Sequence, residues 1–528
     1  MQILSRLTIF VLMLGSSFTS PAQVRYRAGF ASSSLEPASY PFSLSLAGYG
    51  APRDGRFTLE WIKKNGTADG LVFGSTAAYK GWVYVLTAAN DLMKYEQGKE
   101  NTNGIKIARY NGISYDVKLK GIAVANNTLY GIDSANIIYT GRHRTDGDLA
   151  VSALAIASGK QRVVLVGADV CGFDAGFINS IKQEIYRKHK IPPAAILVNA
   201  SHTHFAPVTQ NWLTWGEHNQ KPDSAYMYGI VKPAIISAIQ TALRRMEPST
   251  IYFGRGKTTI GGNRTFRNAP LPYDDDVDVI DIVRKKGKER TVLFLAGCHP
   301  VFKNEGAEGI TISANYPGVT RRWLDEKAGI NQSMFIQGCG GDINPVDASH
   351  VNTGNKLAAD ITAVLNKPQE ALNGKISFYL DSINFPVKKW TEAALMEFRN
   401  RNSGKEGDVY AEKNVRWADM MLQSYRANTI PASMPVYIQT INIGQWKLVG
   451  LSREAVTDYS MGIKKLWPGA LVSVAGYCND VSSYLPTQRH IREGVYEGMD
   501  SFFWYGQPAV FPESVYDDIL EKIKQQNH

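Results

Sequence analysis

Cysteine is scarce in this 528-residue chain: Cys171, Cys298, Cys339 and Cys478 are too few for a disulfide scaffold. Their spacings fit no zinc-knuckle pattern, so they read as small buried residues, with one disulfide left open in an oxidising compartment. Long apolar runs are also missing. Beyond the N-terminus no stretch of about 18 apolar residues occurs, so no membrane-spanning helix is expected. Nor is positive charge concentrated. The formal charge of +10 is spread thinly, and its densest patch, Arg284-Lys285-Lys286-Gly287-Lys288-Glu289-Arg290, reads as a solvated turn between strands. Without a basic helix or an aromatic stacking ladder, nucleic acid is not an expected partner, while weak attraction to anionic membrane surfaces stays open.

What is present begins with an export signal. Leu7 to Phe18 is mostly apolar, no Lys or Arg falls between Arg6 and Arg25, and Ser20-Pro21-Ala22 supplies small residues before Gln23. This pattern predicts a cleavable signal peptide over 1–22 and a secreted or periplasmic protein. A buried N-terminal helix fits less well, because the segment lacks an amphipathic period. No cysteine lies near the cut, so no lipid anchor is indicated. With 44% hydrophobic residues the remainder can bury a large core.

From about Asp146 onward, apolar strands alternate with helical periods. Arg162 to Asp169 reads as a strand buried on both faces, Ala175 to Lys190 as a helix, and Ala194 to Ala200 as the next buried strand. Thr291 to Gly297, the helix Pro317 to Lys327 and the strand Ser333 to Gln337 continue the alternation. This predicts α/β architecture. Residues 52–145 differ, being rich in Gly, Asn, Tyr and Thr. Val83 to Asn90 resembles Leu129 to Asn136, each followed by an apolar pair and a tyrosine. The reading is an all-β subdomain of hairpin repeats, inserted between 23–51 and 146–528. Its aromatics Trp61, Tyr79, Trp82, Tyr84 and Tyr95 are candidates for exposed ligand-binding rings.

Chemistry gathers at strand ends. Ala200-Ser201-His202-Thr203-His204 places two histidines on one side of an extended chain. Gly297-Cys298-His299-Pro300 puts a third at another strand end, and Glu454 follows the strand Trp446 to Leu451. Gln337-Gly338-Cys339-Gly340-Gly341-Asp342-Ile343-Asn344-Pro345 is a glycine-rich loop that brings backbone N–H groups close to a ligand. A lone histidine is more often structural. Three at strand ends plus a carboxylate, in a chain with nine histidines, point to Zn²⁺. A binuclear amidohydrolase barrel would put H-x-H on its first strand and add further His and Asp ligands, and neither condition is met.

These segments resemble, in order, the neutral (non-lysosomal) ceramidase family over most of the chain outside the insertion. Ala28 to Ala31 and Leu46 to Gly50 are similar to that family's opening, and Asp148 to Leu154 to its strand before the first helix. His202-Thr203-His204 matches its H-T-H, Asn263-Arg264 its N-R-S-P, and Gly341 to Pro345 its G-D-V-S-P. Asn479-Asp480 through Tyr484 to Tyr496-Glu497-Gly498 follows its N-x-Y-x-x-Y…Y-E-G run. The resemblance implies an α/β fold of mixed sheets with helices packed on them. It implies a zinc ion held by His202, His299, Glu454 and Tyr484, with Tyr477 as the alternative tyrosine. It also implies His204 beside the zinc-bound water, Arg264 on the substrate and Asp342 orienting the site.

The chain departs from the family at several points. Asn344 stands where the family has serine; an amide can donate to an oxyanion but cannot form an acyl-enzyme, so zinc-bound water is left as the nucleophile. Gln488 and Ile491 replace the tyrosines of Y-E-E-Y, which predicts an altered substrate pocket. The stretch after Tyr496 is too short for the family's C-terminal β-sandwich. The expected activity is therefore hydrolysis of an N-acyl amide on a small-molecule or lipid substrate. A zinc esterase, a glycan-processing hydrolase and a non-catalytic metal-supported binding protein are the rival readings.

Overall fold

Strands that are covered on both faces read as unbroken apolar runs, and several strands of this chain do so because helices and a second sheet enclose them. In the computed structural model, Ala150–Ser158, Gln161–Ala168 and Ile196–Ala200 are buried along nearly their whole length. The structure describes residues 26–38, 40–41, 43–49, 55–65, 70–79, 81–98, 105–109, 117–284, 289–302, 309–327 and 329–526. The expected signal peptide and the centre of the basic turn, 285–288, lie outside the described residues.

The largest sheet runs in the order Ile196–Ala200, Gln161–Ala168, Ala150–Ser158, Tyr26–Ser34, Glu247–Lys257, Asp276–Arg284, Arg290–Ala296, Gln332–Gln337, with Glu370–Ala371 also on Glu247–Lys257. Its inner pairs are antiparallel, and the outermost pair at each edge is parallel. The parallel pairs are bridged by the helices Ala175–His189 and Asn315–Lys327. A second sheet, Ile376–Pro386, Ser433–Ile443, Trp446–Leu451, Leu471–Ala475, ends on a third parallel pair bridged by the helix Thr457–Lys465. This is the mixed-sheet α/β class. Each strand–helix–strand unit delivers its residues at strand carboxyl ends, where open α/β sheets carry their sites.

Between 59 and 143 every described element is a strand. Leu59–Lys63 pairs with Ile138–His143, so the chain enters and leaves this region on neighbouring strands of one four-stranded sheet. A second four-stranded sheet spans Thr76–Tyr79 to Ile105–Arg109. The two similar sequences form the same turn, one in each sheet. Asn90 and Asn136 take φ of 64° and 62°, a region asparagine tolerates. Thr87 Oγ1 and Asp133 Oδ1 each accept the backbone N–H four residues on, at 3.1 and 2.8 Å. Buried Lys94 ties this region to the main body through an ion pair with Asp223, which also accepts from Tyr40 at 2.8 Å. Two aromatics expected to be exposed are not. Trp61 and Tyr84 are buried, because they face inward to fill the core of these small sheets.

Among the described residues no helix is long and apolar enough to cross a membrane. All four cysteines are buried and free.

Candidate active site

Where the strand Ile196–Ala200 ends, the chain turns so tightly that His202 adopts φ of +66°, a strained conformation for a side chain of its size. The turn sends its imidazole inward, and Nδ1 meets Cys171 O at 2.6 Å. His299 follows the strand Arg290–Ala296 and is fixed alike, with Nδ1 at 2.6 Å from Gly340 O. Each carbonyl requires a proton on Nδ1, which leaves both Nε2 lone pairs free. They converge on one atom. Glu454 Oε2 lies 3.0 Å from His202 Nε2 and 3.2 Å from His299 Nε2, and all three residues are buried.

Zinc–ligand bonds of 2.0–2.1 Å in a tetrahedron set ligand atoms about 3.3 Å apart. The His202, His299 and Glu454 donors, all within 4.8 Å of one another, form such a face. The donor set and its carbonyl-held tautomers therefore fit a zinc ion. Electrostatics agree. Burial alone would raise the Glu454 carboxyl, but the two imidazoles hold it well below the usual range. Burial also opposes charge on His202, yet Glu454 and Cys171 lift its pKa to about 10, so its Nε2 lone pair favours a cation, whether a proton or a metal ion. The carboxylate thus draws a positive charge into a buried site.

His204 stands beside this triangle. Its Nε2 is 3.2 Å from His202 Nε2, while burial and the neighbouring histidines push its pKa well down, keeping it neutral. Gly48, at φ +80°, lies against the ring; a Cβ there would sit 2.3 Å from His204 Cγ. Tyr49 meets the imidazole edge-on at 4.9 Å, and Arg56 Nη2 donates to His204 O at 2.7 Å.

Arg264 reaches several groups at once. It donates to Glu497 Oε1 at 3.2 Å, Asn344 Oδ1 at 3.2 Å, Gly341 O at 2.8 Å and Tyr484 OH at 3.0 Å. Because Asn344 Oδ1 accepts from the guanidinium, its NH₂ remains the donor available to a ligand. Tyr484 is bridged through its backbone to Glu454. The alternative, Tyr477, lies with its ring 4.5 Å from that of His202, and its buried hydroxyl has no hydrogen-bond partner. Asp342 faces elsewhere. Its oxygens accept from Thr457 N and Asn263 Nδ2, both at 2.7 Å, so it braces the loop whose Gly340 O holds His299 Nδ1.

His204, Arg264, Asn344, Glu454 and Tyr484 line one cavity of about 380 Å³. Its other walls are largely aromatic and include Trp212, Trp215, Trp504 and Tyr505. The expectation that Gln488 to Ile491 shapes this pocket is not met, for these residues form a short helix outside it. Arg489 stacks on Phe266 at 3.6 Å and His490 is fully buried. Sequence reasoning missed Tyr505, whose hydroxyl donates to Glu454 Oε1, and the tryptophans. The run Phe502-Phe503-Trp504-Tyr505-Gly506 was the available signal.

No protein-family model and no curated protein matches the sequence. Solved structures do. The chain is similar to the crystal structure of neutral ceramidase from Pseudomonas aeruginosa, at 12% identity and a TM-score of 0.59, over 94% of this chain and 73% of that one. It is also similar to a ceramidase complexed with C2, at 13% identity and a TM-score of 0.60, over 94% and 74%. The fold is neutral-ceramidase-like.

Proposed function

We propose that this chain is an exported zinc-dependent hydrolase that cleaves an N-acyl amide bond. The observation that carries the reading is the convergence of His202 Nε2, His299 Nε2 and Glu454 Oε2, the last of these residues lining an aromatic-walled cavity. Zinc, when bound, lowers the pKa of water to about 7 and polarises a carbonyl, which is the chemistry amide hydrolysis needs. The surrounding residues divide the remaining work. Neutral His204 is placed to take a proton from the attacking water and return it to the leaving nitrogen. The NH₂ of Asn344, oriented by Arg264, donates to the carbonyl oxygen as negative charge develops there. Arg264 also anchors a polar group of the substrate. Tyr484, held by the same guanidinium and bridged to Glu454, is our choice for the fourth ligand.

The cavity favours a compact polar substrate over a lipid with two long chains. Its volume lies near the lower end of ligand pockets, and arginine, asparagine and phenols punctuate its aromatic walls. The same features suit an acylated ester or sugar, so an esterase is the second reading. The test is an assay of zinc-loaded protein on N-acyl amino acids, acylated sugars and ceramide, with and without chelator. Chelator-sensitive release of an acid from an amide supports the reading. Tight substrate binding with no turnover would replace it with a binding protein.

A further inference from the structure

We propose that Tyr505 is a positioning residue whose phenol fixes the Glu454 carboxylate so that its other oxygen faces both imidazoles. The inference rests on the metal-centre reading above and deepens it. Glu454 Oε2 faces both Nε2 atoms, at 3.0 and 3.2 Å. That leaves Oε1 inside a site where the side chain is 1% exposed. A buried charged acceptor without a donor is costly, and Tyr505 OH is the donor supplied.

The bond also sets direction. The last torsion of a glutamate is broad and two-fold, so the backbone at Glu454 does not decide which oxygen points at the histidines. A donor on one oxygen does. Tyr505 can play this part because its own position is over-determined by neighbours outside the metal-binding strands. It closes the short helix Ser501–Trp504, its N–H donating to Ser501 O at 3.1 Å, and the chain then turns away at Gly506, with φ of +63°. Trp504 O, one residue earlier, accepts from Thr214 Oγ1 at 2.6 Å and Trp215 Nε1 at 2.8 Å. At the start of the helix, Asp500 is tied at 2.7 Å to Lys413, a lysine with no exposed side-chain surface. The phenol is thereby delivered from a separate, rigidly stapled element.

The test measures zinc affinity by chelator competition, and the visible spectrum of the cobalt-substituted protein, in the full chain. Tyr505→Phe keeps the ring and removes only the hydroxyl. We expect zinc affinity to fall about 10–100-fold, as when other outer partners of metal ligands are lost, with altered cobalt bands. Made in a Glu454→Gln background, the same change should cost less than about twofold, because the group it acts on has changed. Parent-like affinity in Tyr505→Phe overturns the inference, and so does an equal loss in both backgrounds, which marks a general packing effect. A parent protein that binds no zinc would instead sink the metal-centre reading itself.

Discussion

Asn199 and Gln337 exchange hydrogen bonds between the two edge strands of the large sheet. Asn199 Nδ2 donates to Gln337 O at 3.2 Å, and Gln337 N donates to Asn199 Oδ1 at 2.8 Å. Asn199 Nδ2 also reaches Gly476 O at 2.8 Å, and Gln337 Nε2 reaches Cys298 O at 2.6 Å. Both side chains are fully buried. Two amides thus tie together the strand ends that carry His202, His299, the Gly340 loop and Tyr477. Asn199→Ala strips partners from several buried backbone groups and should cost about 2–4 kcal/mol. Urea unfolding should show this as a lower midpoint at unchanged slope. A midpoint equal to the parent's would mean that the network contributes nothing.

The metal prediction follows from the same convergence. Purified protein should carry about one zinc per chain, and His202→Ala and His299→Ala should each lose it while the fold persists. His204→Ala should keep the metal, since it leaves the His202–His299–Glu454 donor set whole. Elemental analysis with circular dichroism decides. Full zinc occupancy in both ligand variants would remove the site.

Asn344 offers a mechanistic test. With Oδ1 occupied by Arg264, its NH₂ is the donor, and Asn344→Ala should slow turnover by about 10²–10³-fold, the loss typical of one oxyanion donor. Mass spectrometry of the working enzyme should find no acylated side chain. A trapped adduct would contradict direct attack by water.

Acid stability should depend on His143, at the junction of the β-rich region and the main body. Its ring nitrogens meet Thr58 Oγ1 at 2.9 Å and Tyr40 O at 2.7 Å. Burial lowers its pKa to about 4, although the Tyr40 carbonyl pulls the other way. Between the unfolded value near 6.5 and about 4, the unfolded chain binds a proton that the folded one refuses. The contribution of this residue is therefore present above the upper pH and lost on acidification through that window. His143→Gln should flatten the acid limb of a pH series of unfolding midpoints; an unchanged limb would assign the sensitivity elsewhere.

The site was legible in the sequence wherever a strand delivers a residue. His202, His299 and Glu454 each follow an apolar run, and strand ends are where such folds gather polar side chains. Asn90 and Asn136 likewise marked their turns, since the left-handed backbone there is a local requirement. What the sequence hid is tertiary. Tyr505 comes from a four-residue helix with no period of its own, placed by Thr214, Trp215 and Lys413 from elsewhere in the chain. Asp342 acts at one remove: its oxygens hold Thr457 N and Asn263 Nδ2, contacts across the chain that its glycine-rich neighbours do not announce. Trp61 and Tyr84 read as exposed because period-2 strands do not announce which face is inward in a small two-sheet region.

Substrate choice gives the last prediction. Ceramide needs an apolar channel for two long chains together with polar anchors for its hydroxyls. The cavity over Glu454 measures about 380 Å³, which is small for that task. Its rings are also constrained. Trp212 and Trp215 stack with centroids 4.2 Å apart, Trp504 abuts Trp215 edge-on at 5.7 Å, and Tyr410 meets Trp504 at 5.8 Å, so widening the cavity would break a packed aromatic wall. Aromatic faces beside Arg264 and Asn344 suit a compact acylated molecule with polar rings or hydroxyls. Zinc-loaded enzyme should therefore turn over an N-acyl amino acid or an acylated sugar faster than long-chain ceramide in a side-by-side assay. Opening the wall with Trp215→Ala should narrow the gap, by raising activity on the bulkier substrate relative to the compact one. Ceramide cleavage by the parent with kcat/KM at or above about 10⁴ M⁻¹s⁻¹ would show that the cavity admits two long chains after all, and the preference for a compact substrate would fall.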